Sequence, residues 1–301
     1  MVAYLDEEAV RKALDWDELI DAMQAALAAF SSGKVFQPVR TAITLEEGQR
    51  YFFIMPAVAE QAMGAKLVSF YPGNAGSPVP THMAMIMLFR PDTGEPLAAM
   101  DGRLITEMRT AAVSAAVTKH LAPPQARILA LIGSGVQAQA HLQALRRVRE
   151  FSEVRVWSPT RERAERFARA HGLTAAPDAR SAVEGADVVV TATNAKEPVL
   201  EGAWLRPGAH VNAVGAARPN WRELDDAAMR AGALIVDSRE AALTESGDVI
   251  LSQTPIFAEA GEIFAGAPRP PAGTTTIFKS VGLAIEDIAA AHLVYRASAA
   301  Q

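Results

Sequence analysis

Three cationic side chains in the first part of the chain stand in apolar surroundings, where an ammonium or guanidinium has to be matched by an anion. Lys66, in GAKLVSFY, shares strand parity with Val68 and Phe70. Its stem therefore lies on an apolar face, where an unpaired ammonium would be expensive. Arg109, in ITEMRTAAVSAAVTKHL, is followed on its own helical face by Ala112, Val113 and Ala116, so its guanidinium projects from a buried stripe. Arg40, in QPVRTAI, follows a proline in an extended segment and is less diagnostic. An internal salt bridge would satisfy any one of these cations. Three together, with few acids nearby, point instead to an exogenous carboxylate, which arginine holds bidentately. Thr81 and His82, in PVPTHM, add a hydroxyl and an imidazole at a strand start.

A second constellation is glycine-based. RILALIGSGVQAQAHLQAL sets Gly133, Gly135 and Ala138 as G-x-G-x-x-A directly after an apolar run and at the start of an amphipathic one. Gly133 makes the tight turn, Gly135 lets the backbone approach a pyrophosphate, and Ala138 permits close helix-strand packing. The helix start at Val136 and Gln137 attracts the anion. The next strand ends in EVRVWSPTRERAERF, with Ser158, Thr160, Arg161 and Arg163 where an NAD-specific site usually carries an acid. Hydroxyls and positive charge suit a 2'-phosphate, which favours NADP(H), with NAD(H) as the alternative. Arg161 and Arg163 decorating a solvated helix start is the competing reading, and Pro159 sits where a direct phosphate ligand would be expected. Thr191 and Thr193 in TATNAKEP, and Val214 and Gly215 in VGAARP, follow the next strands at the sheet edge where ligands bind. The loop past Gly215 offers Ala216, Ala217 and Arg218, with no acid and no nucleophile. Hydride transfer needs neither, because the cofactor carries the difficult chemistry.

These residues require two scaffolds. An N-terminal helix capped by Asp15 buries Leu19, Met23, Ala26, Leu27 and Phe30 and stops at SSGK. From Val39 to about Met100 the texture is strand-like, and HMAMIMLF, RPDTGEP and LAAMDG spell an antiparallel hairpin. A helix over about 106–121 ends at Pro123 and Pro124, taken as the domain boundary. Strands are expected at 127–132, 154–157, 187–193, 210–214 and 234–237 with helical stretches between, the order of a doubly wound parallel sheet. VGLAIEDIAAAHLVY reads as a helix packed back on the first domain. The fold class is thus α/β: a Rossmann-type domain over 123–280, and a mixed α+β domain over 1–122 completed by 281–301.

Composition narrows the function. The 301 residues are 50% hydrophobic with a formal net charge of -5, ample for a core and without the basic excess of a nucleic-acid binder. Cysteine is absent, which excludes disulfides and thiolate chemistry. The six histidines are scattered, so no metal is expected. No apolar leader or membrane span is legible, and a cytoplasmic protein without membrane or nucleic-acid partners is the expectation.

The ordered motifs QPVRT, MPA, KLVSFY, PTHMA, MDGRLITEMRTAAVSA, LIGSGVQAQAH, PGAHVNAVGAARPNWRELDD, VDSREAALTESGDV and FKSVGLAIEDIAA cover nearly the whole chain. Together they resemble the ornithine cyclodeaminase/mu-crystallin family, and GAARPNWRELDD and EAALTESGDV are similar to the mu-crystallin branch. The resemblance implies a homodimer whose first domain supplies dimer contacts and the substrate site. It also implies that Arg40, Lys66, Thr81 and Arg109 hold a small α-imino or amino acid, chiefly by its carboxylate. Two departures matter. Cyclodeaminases carry an aspartate where this chain has Ala217, and a glutamate before the MP pair where YFFIMP has Phe53. Without those carboxylates cyclodeamination is poorly supported. Reduction of an α-imino acid C=N bond by NAD(P)H remains. In that reaction Arg40 and Arg109 clamp the carboxylate, Lys66 is a second anion contact that favours a polarised imine, and Thr81 or His82 lies near the nitrogen. Amino-acid oxidation of the cyclodeaminase or alanine-dehydrogenase kind, and a non-catalytic NADPH or small-ligand binder, are the alternatives.

Overall fold

The structure, a computed structural model, describes residues 2–299. Its contacts divide the chain into two units. One runs to Arg109 and resumes at Gly282; the other spans Thr110–Val281.

The first unit opens with β1 (Ala3–Leu5), α1 (Glu7–Ala13) and α2 (Trp16–Ser31). Asp15 caps α2 as expected, its carboxylate accepting from the Asp17 and Glu18 amides at 2.8 and 3.2 Å. The strands β2 (Thr41–Glu46), β3 (Arg50–Val58), β4 (Met63–Phe70), β5 (His82–Phe89) and β6 (Pro96–Asp101) follow, then α3 (Arg103–Leu121). The sheet order is β1-β6-β5-β4-β3-β2, antiparallel except where β1 joins β6. Register sets Met55 and Ile86 beside Lys66 across β3 and β5, so Lys66 stands on the core face among apolar neighbours. The division between the units falls inside α3, ahead of the Pro123 boundary that the sequence suggests. The helix runs unbroken past Arg109, and the prolines only terminate it.

The second unit is built on β7 (Ile128–Ile132), α4 (Val136–Val148), β8 (Glu153–Trp157), α5 (Arg161–His171), β9 (Thr174–Ala175), α6 (Ala179–Val183), β10 (Val188–Thr191) and β11 (His210–Ala213). It continues through α7 (Asp226–Met229), β12 (Ala233–Val236), α8 (Arg239–Glu245), α9 (Gly247–Ser252), β13 (Ile256–Glu259), α10 (Ala260–Phe264) and β14 (Thr276–Lys279). The eight strands are all parallel, in the order β13-β12-β14-β11-β10-β7-β8-β9. Strands β10, β11, β12 and β14 are buried on both faces, which parallel central strands require. The chain order reverses at β7, which lies between β8 and β10. That is the switch point, where open sheets hold ligands beyond the carboxyl ends of their strands. The α/β class and doubly wound sheet match the sequence reading.

The last helix, α11 (Ala284–Ala299), belongs to the first unit and packs on α1, α2, β3, β4 and β5, as expected.

Candidate functional sites

At the end of β7 the backbone turns at Gly133, whose φ of 121° is left-handed territory. A Cβ there would stand 2.5 Å from the Ala192 carbonyl oxygen, so only glycine closes this turn. Gly135 caps α4 without a side-chain hydrogen bond, and a Cβ built on it meets nothing within 4 Å. Helix N–H groups therefore face open space, with Val136 exposed, Gln137 half-buried and Ala138 packed into the core. This arrangement fits a pyrophosphate: an uncapped helix start, a glycine that leaves room, and a switch point beside it.

Past β8, Ser158 is half-buried and Thr160 precedes α5 without capping it by its side chain. The Arg161 side chain is 81% exposed and bonded to Glu165 at 2.8 Å, while Arg163 is exposed. Arg161 thus behaves as the surface reading supposed.

Thr191 and Thr193, read as cofactor contacts, turn instead to a residue that sequence reasoning passed over. The buried Glu223 carboxylate accepts from Thr191 Oγ1 at 2.8 Å, from Thr193 Oγ1 at 2.7 Å, and from the amides of Thr193 at 2.6 Å and Gly215 at 2.8 Å. Burial pushes the Glu223 pKa up, and Lys279 opposes that shift. Val214 and Gly215 are half-buried at the same edge, and Ala216 has a φ of 51°.

In the first unit, the cations are joined by acids from α11. Lys66 Nζ lies 2.5 Å from Asp287 Oδ2. Arg109 reaches Asp287 through Nε at 2.8 Å and Glu286 through Nη1 at 2.5 Å. All four side chains are buried. The expectation of few nearby acids is therefore overturned: the acids are distant in sequence and brought in by the last helix. Arg40 donates to the Gly282 carbonyl at 3.0 Å. A Cβ on Gly282, whose φ is 81°, would strike the Arg109 guanidinium at 2.6 Å, so this glycine makes room for the arginine. The missed residues Gly282, Glu286 and Asp287 did leave one signal, an acidic pair set within the apolar run of AIEDIAAA.

Burial lowers the Lys66 pKa to about 8, against the pull of Asp287. Arg109 is penalised by burial, but Asp287 and Glu286 hold it above its ordinary value. His82 is pushed down to about 4 by burial and then by Lys66 and Arg109, so it is neutral at pH 7 and lies within their field. Thr81 is half-buried, and its carbonyl accepts the Tyr71 amide at 2.8 Å. Phe53 occupies the core face of β3 opposite Val68, so no carboxylate stands at this position. Among the described residues no cluster is suited to a metal, and no helix is long and apolar enough to cross a membrane.

The sequence profile of the ornithine cyclodeaminase/mu-crystallin family matches residues 2–301. The chain belongs to that family. It is 50% identical over 301 residues to the ketimine reductase mu-crystallin of Mus musculus, covering 97% of this chain and 96% of the relative. To the Δ1-pyrroline-2-carboxylate reductase of Bacillus cereus it is 38% identical over 303 residues, covering 95% and 93%. Among solved structures, the Thermococcus litoralis Δ1-pyrroline-2-carboxylate reductase, in complex with NADH and L-proline, superposes with a TM-score of 0.94. That pair is 37% identical, covering 99% of this chain and 98% of the other.

Proposed function

We propose that this family member reduces the carbon-nitrogen double bond of a small α-imino acid, a cyclic ketimine carboxylate or a linear equivalent, using NAD(P)H. The observation that carries this reading is the buried group in which Lys66 and Arg109 meet Glu286 and Asp287, with Arg40, half-buried, donating to the Gly282 carbonyl beside it. These side chains give the first unit a cluster of guanidinium and ammonium donors of the kind that binds a carboxylate. Similarity to ketimine and pyrroline-2-carboxylate reductases supports the same substrate class.

A bound dinucleotide would supply the hydride. The Gly133–Gly135 turn and the start of α4 would hold its pyrophosphate. Ser158, Thr160 and Arg163 favour a 2'-phosphate; Arg161 contributes less because Glu165 engages it. NADPH is accordingly the preferred donor. Arg40 and Arg109 anchor the substrate carboxylate. Lys66, with a pKa of about 8, keeps its proton at neutral pH and serves as the second cationic contact that polarises the imine. His82 is neutral there and is a hydrogen-bonding group rather than an acid. Phe53 and Ala217 supply no carboxylate to deprotonate an amine, which disfavours cyclodeamination. The edge strand β2 is exposed nearly throughout, and with Phe36 it presents Ile43 and Leu45. This apolar edge supports a homodimer formed through the first unit.

NADPH oxidation across a panel of cyclic and linear imino acids, with Arg109→Ala as control, tests the proposal. Oxidation dependent on imino acid and Arg109 supports it. Conversion of ornithine to proline and ammonia at a rival rate, or binding of NADPH that no imino acid ever oxidises, overturns it. Equal Michaelis constants for NADH and NADPH overturn the cofactor preference.

A further inference from the structure

The carboxyl edge of the parallel sheet holds a closed ring of buried charge that the phosphate-binding turn does not require. Glu223 Oε1 accepts the Thr193 amide and hydroxyl, and Oε2 accepts the Gly215 amide and the Thr191 hydroxyl. Gly215 is gripped from its other side as well, because Lys279 Nζ donates to its carbonyl at 2.5 Å. Lys279 also pairs with Asp248 Oδ2 at 2.9 Å. Asp248 Oδ1 closes the ring by accepting the Glu223 and Leu224 amides at 2.9 and 3.0 Å. Glu223, Asp248 and Lys279 have no exposed surface.

Such a network is costly to bury, and apolar side chains would hold a sheet edge as well. What it adds is placement. Both Glu223 oxygens accept a backbone N–H, so the carboxylate is the form that fits. It binds the segment after β10 to the segment after β11 at a fixed spacing. A Cβ on Gly215 would strike the Thr193 carbonyl oxygen and Glu223, so the two backbones already touch. Immediately beyond, Ala216 is held at a φ of 51°, a conformation a non-glycine residue adopts at a cost and keeps only when its surroundings impose it. The peptide gripped on both sides by Glu223 and Lys279 is the imposing element.

We propose that Glu223, backed by Lys279 and Asp248, is a positioning residue for the nicotinamide ring. It fixes the gap between the Thr191–Thr193 and Gly215–Ala216 segments against which the ring rests. This rests on the reading that the second unit binds a nicotinamide dinucleotide.

The test uses the full-length protein and two ligands, NADPH and its fragment 2'-phospho-ADP-ribose, which lacks the ring. Dissociation constants are measured by fluorescence and amide exchange by mass spectrometry. Glutamine at 223 must turn its NH2 toward a backbone N–H that the carboxylate accepted. Loss of a hydrogen bond to a charged group is worth about tenfold in affinity. Glu223→Gln is therefore expected to weaken NADPH about tenfold and leave the fragment within about twofold. Exchange should rise around Thr193 and Gly215 but not across β12. A purely structural role would instead weaken both ligands together and raise exchange throughout the sheet, which overturns the inference, as does unchanged NADPH affinity. Thr191→Val removes one buried hydroxyl and no charge. Should Glu223→Gln fail to fold, Thr191→Val must show the same ring-specific loss at about threefold, or the inference is overturned. A wild-type protein that binds neither ligand overturns the cofactor reading along with it; one that binds both while the variants match it overturns this inference alone.

Discussion

Asp287→Asn removes one negative charge from a cluster where that carboxylate touches Lys66 at 2.5 Å and Arg109 at 2.8 Å with no exposure of its own. Deleting one member of a buried ion pair costs about 3–5 kcal/mol, because the partner is left without compensation. Asparagine keeps the shape and one acceptor, and Glu286 still faces Arg109. The lower end, about 3 kcal/mol, is the expected loss in unfolding free energy by urea denaturation at pH 7. A second effect is electrostatic. Burial pulls Lys66 down from 10.5, Asp287 opposes, and the balance is about 8. Without Asp287 the lysine pKa falls further. The high-pH limb of kcat/KM, expected near pH 8 in the wild type, then moves toward neutrality. Stability carries the matching sign. Between about 8 and 10.5 the folded protein binds fewer protons than the unfolded chain, so the contribution of Lys66 rises with pH through that window. In the variant that window opens at lower pH. The double variant Lys66→Met/Asp287→Asn removes the stranded ammonium and should recover roughly half of the stability lost. An Asp287→Asn protein that unfolds at the wild-type urea concentration and keeps its high-pH limb would refute the assignment of Asp287 as partner to both cations.

Three further outcomes are expected. Gly135→Ala places a methyl in open space without strain. Its melting temperature should stay within about 2 °C of wild type while dinucleotide affinity falls at least about tenfold, and unchanged affinity would remove the phosphate from this turn. Burial holds His141 down to about 4 and His210 to about 3, both fully enclosed. Their contribution is complete above about pH 6.5 and is lost as pH falls toward 4, because only the unfolded chain takes up those protons. At pH 5 each should cost about 2 kcal/mol, read as a falling urea midpoint that His141→Gln makes shallower. Arg163→Ala should raise KM for NADPH severalfold and leave KM for NADH alone; a parallel change in both would discard the 2'-phosphate assignment.

Local pattern made much of this legible. Strands β7, β10 and β12 stand out as short, largely apolar runs because these parallel strands are covered on both faces, while β8 shows as an alternating EVRVW buried on every second residue. Strand parity alone marked Lys66 as a buried cation, and helix spacing did the same for Arg109. What sequence concealed is whatever depends on remote partners. Strand β14 reads TIFK, and its polar ends are satisfied by remote partners: His210 bonds Thr276 at 2.8 Å, and Lys279 pairs with Asp248 and donates to the Gly215 carbonyl. Strand β9 is two residues long and too short to show periodicity. The acids that answer Arg109 lie 177 and 178 residues downstream. Thr191 and Thr193 were found by position at the sheet edge, but nothing local shows that their hydroxyls point to Glu223.

The carboxylates on α11 also bear on the order of assembly. A chain grown from its N-terminus finishes every strand of the parallel sheet by Lys279, before Glu286 and Asp287 have been made. Until then Lys66 and Arg109 lack the two carboxylates they pair with in the folded protein, and their burial is unfavourable. The part of the molecule begun first is thus completed last, and a nascent chain stalled at Val281 would hold a finished dinucleotide-binding half beside an N-terminal half still waiting for its acids.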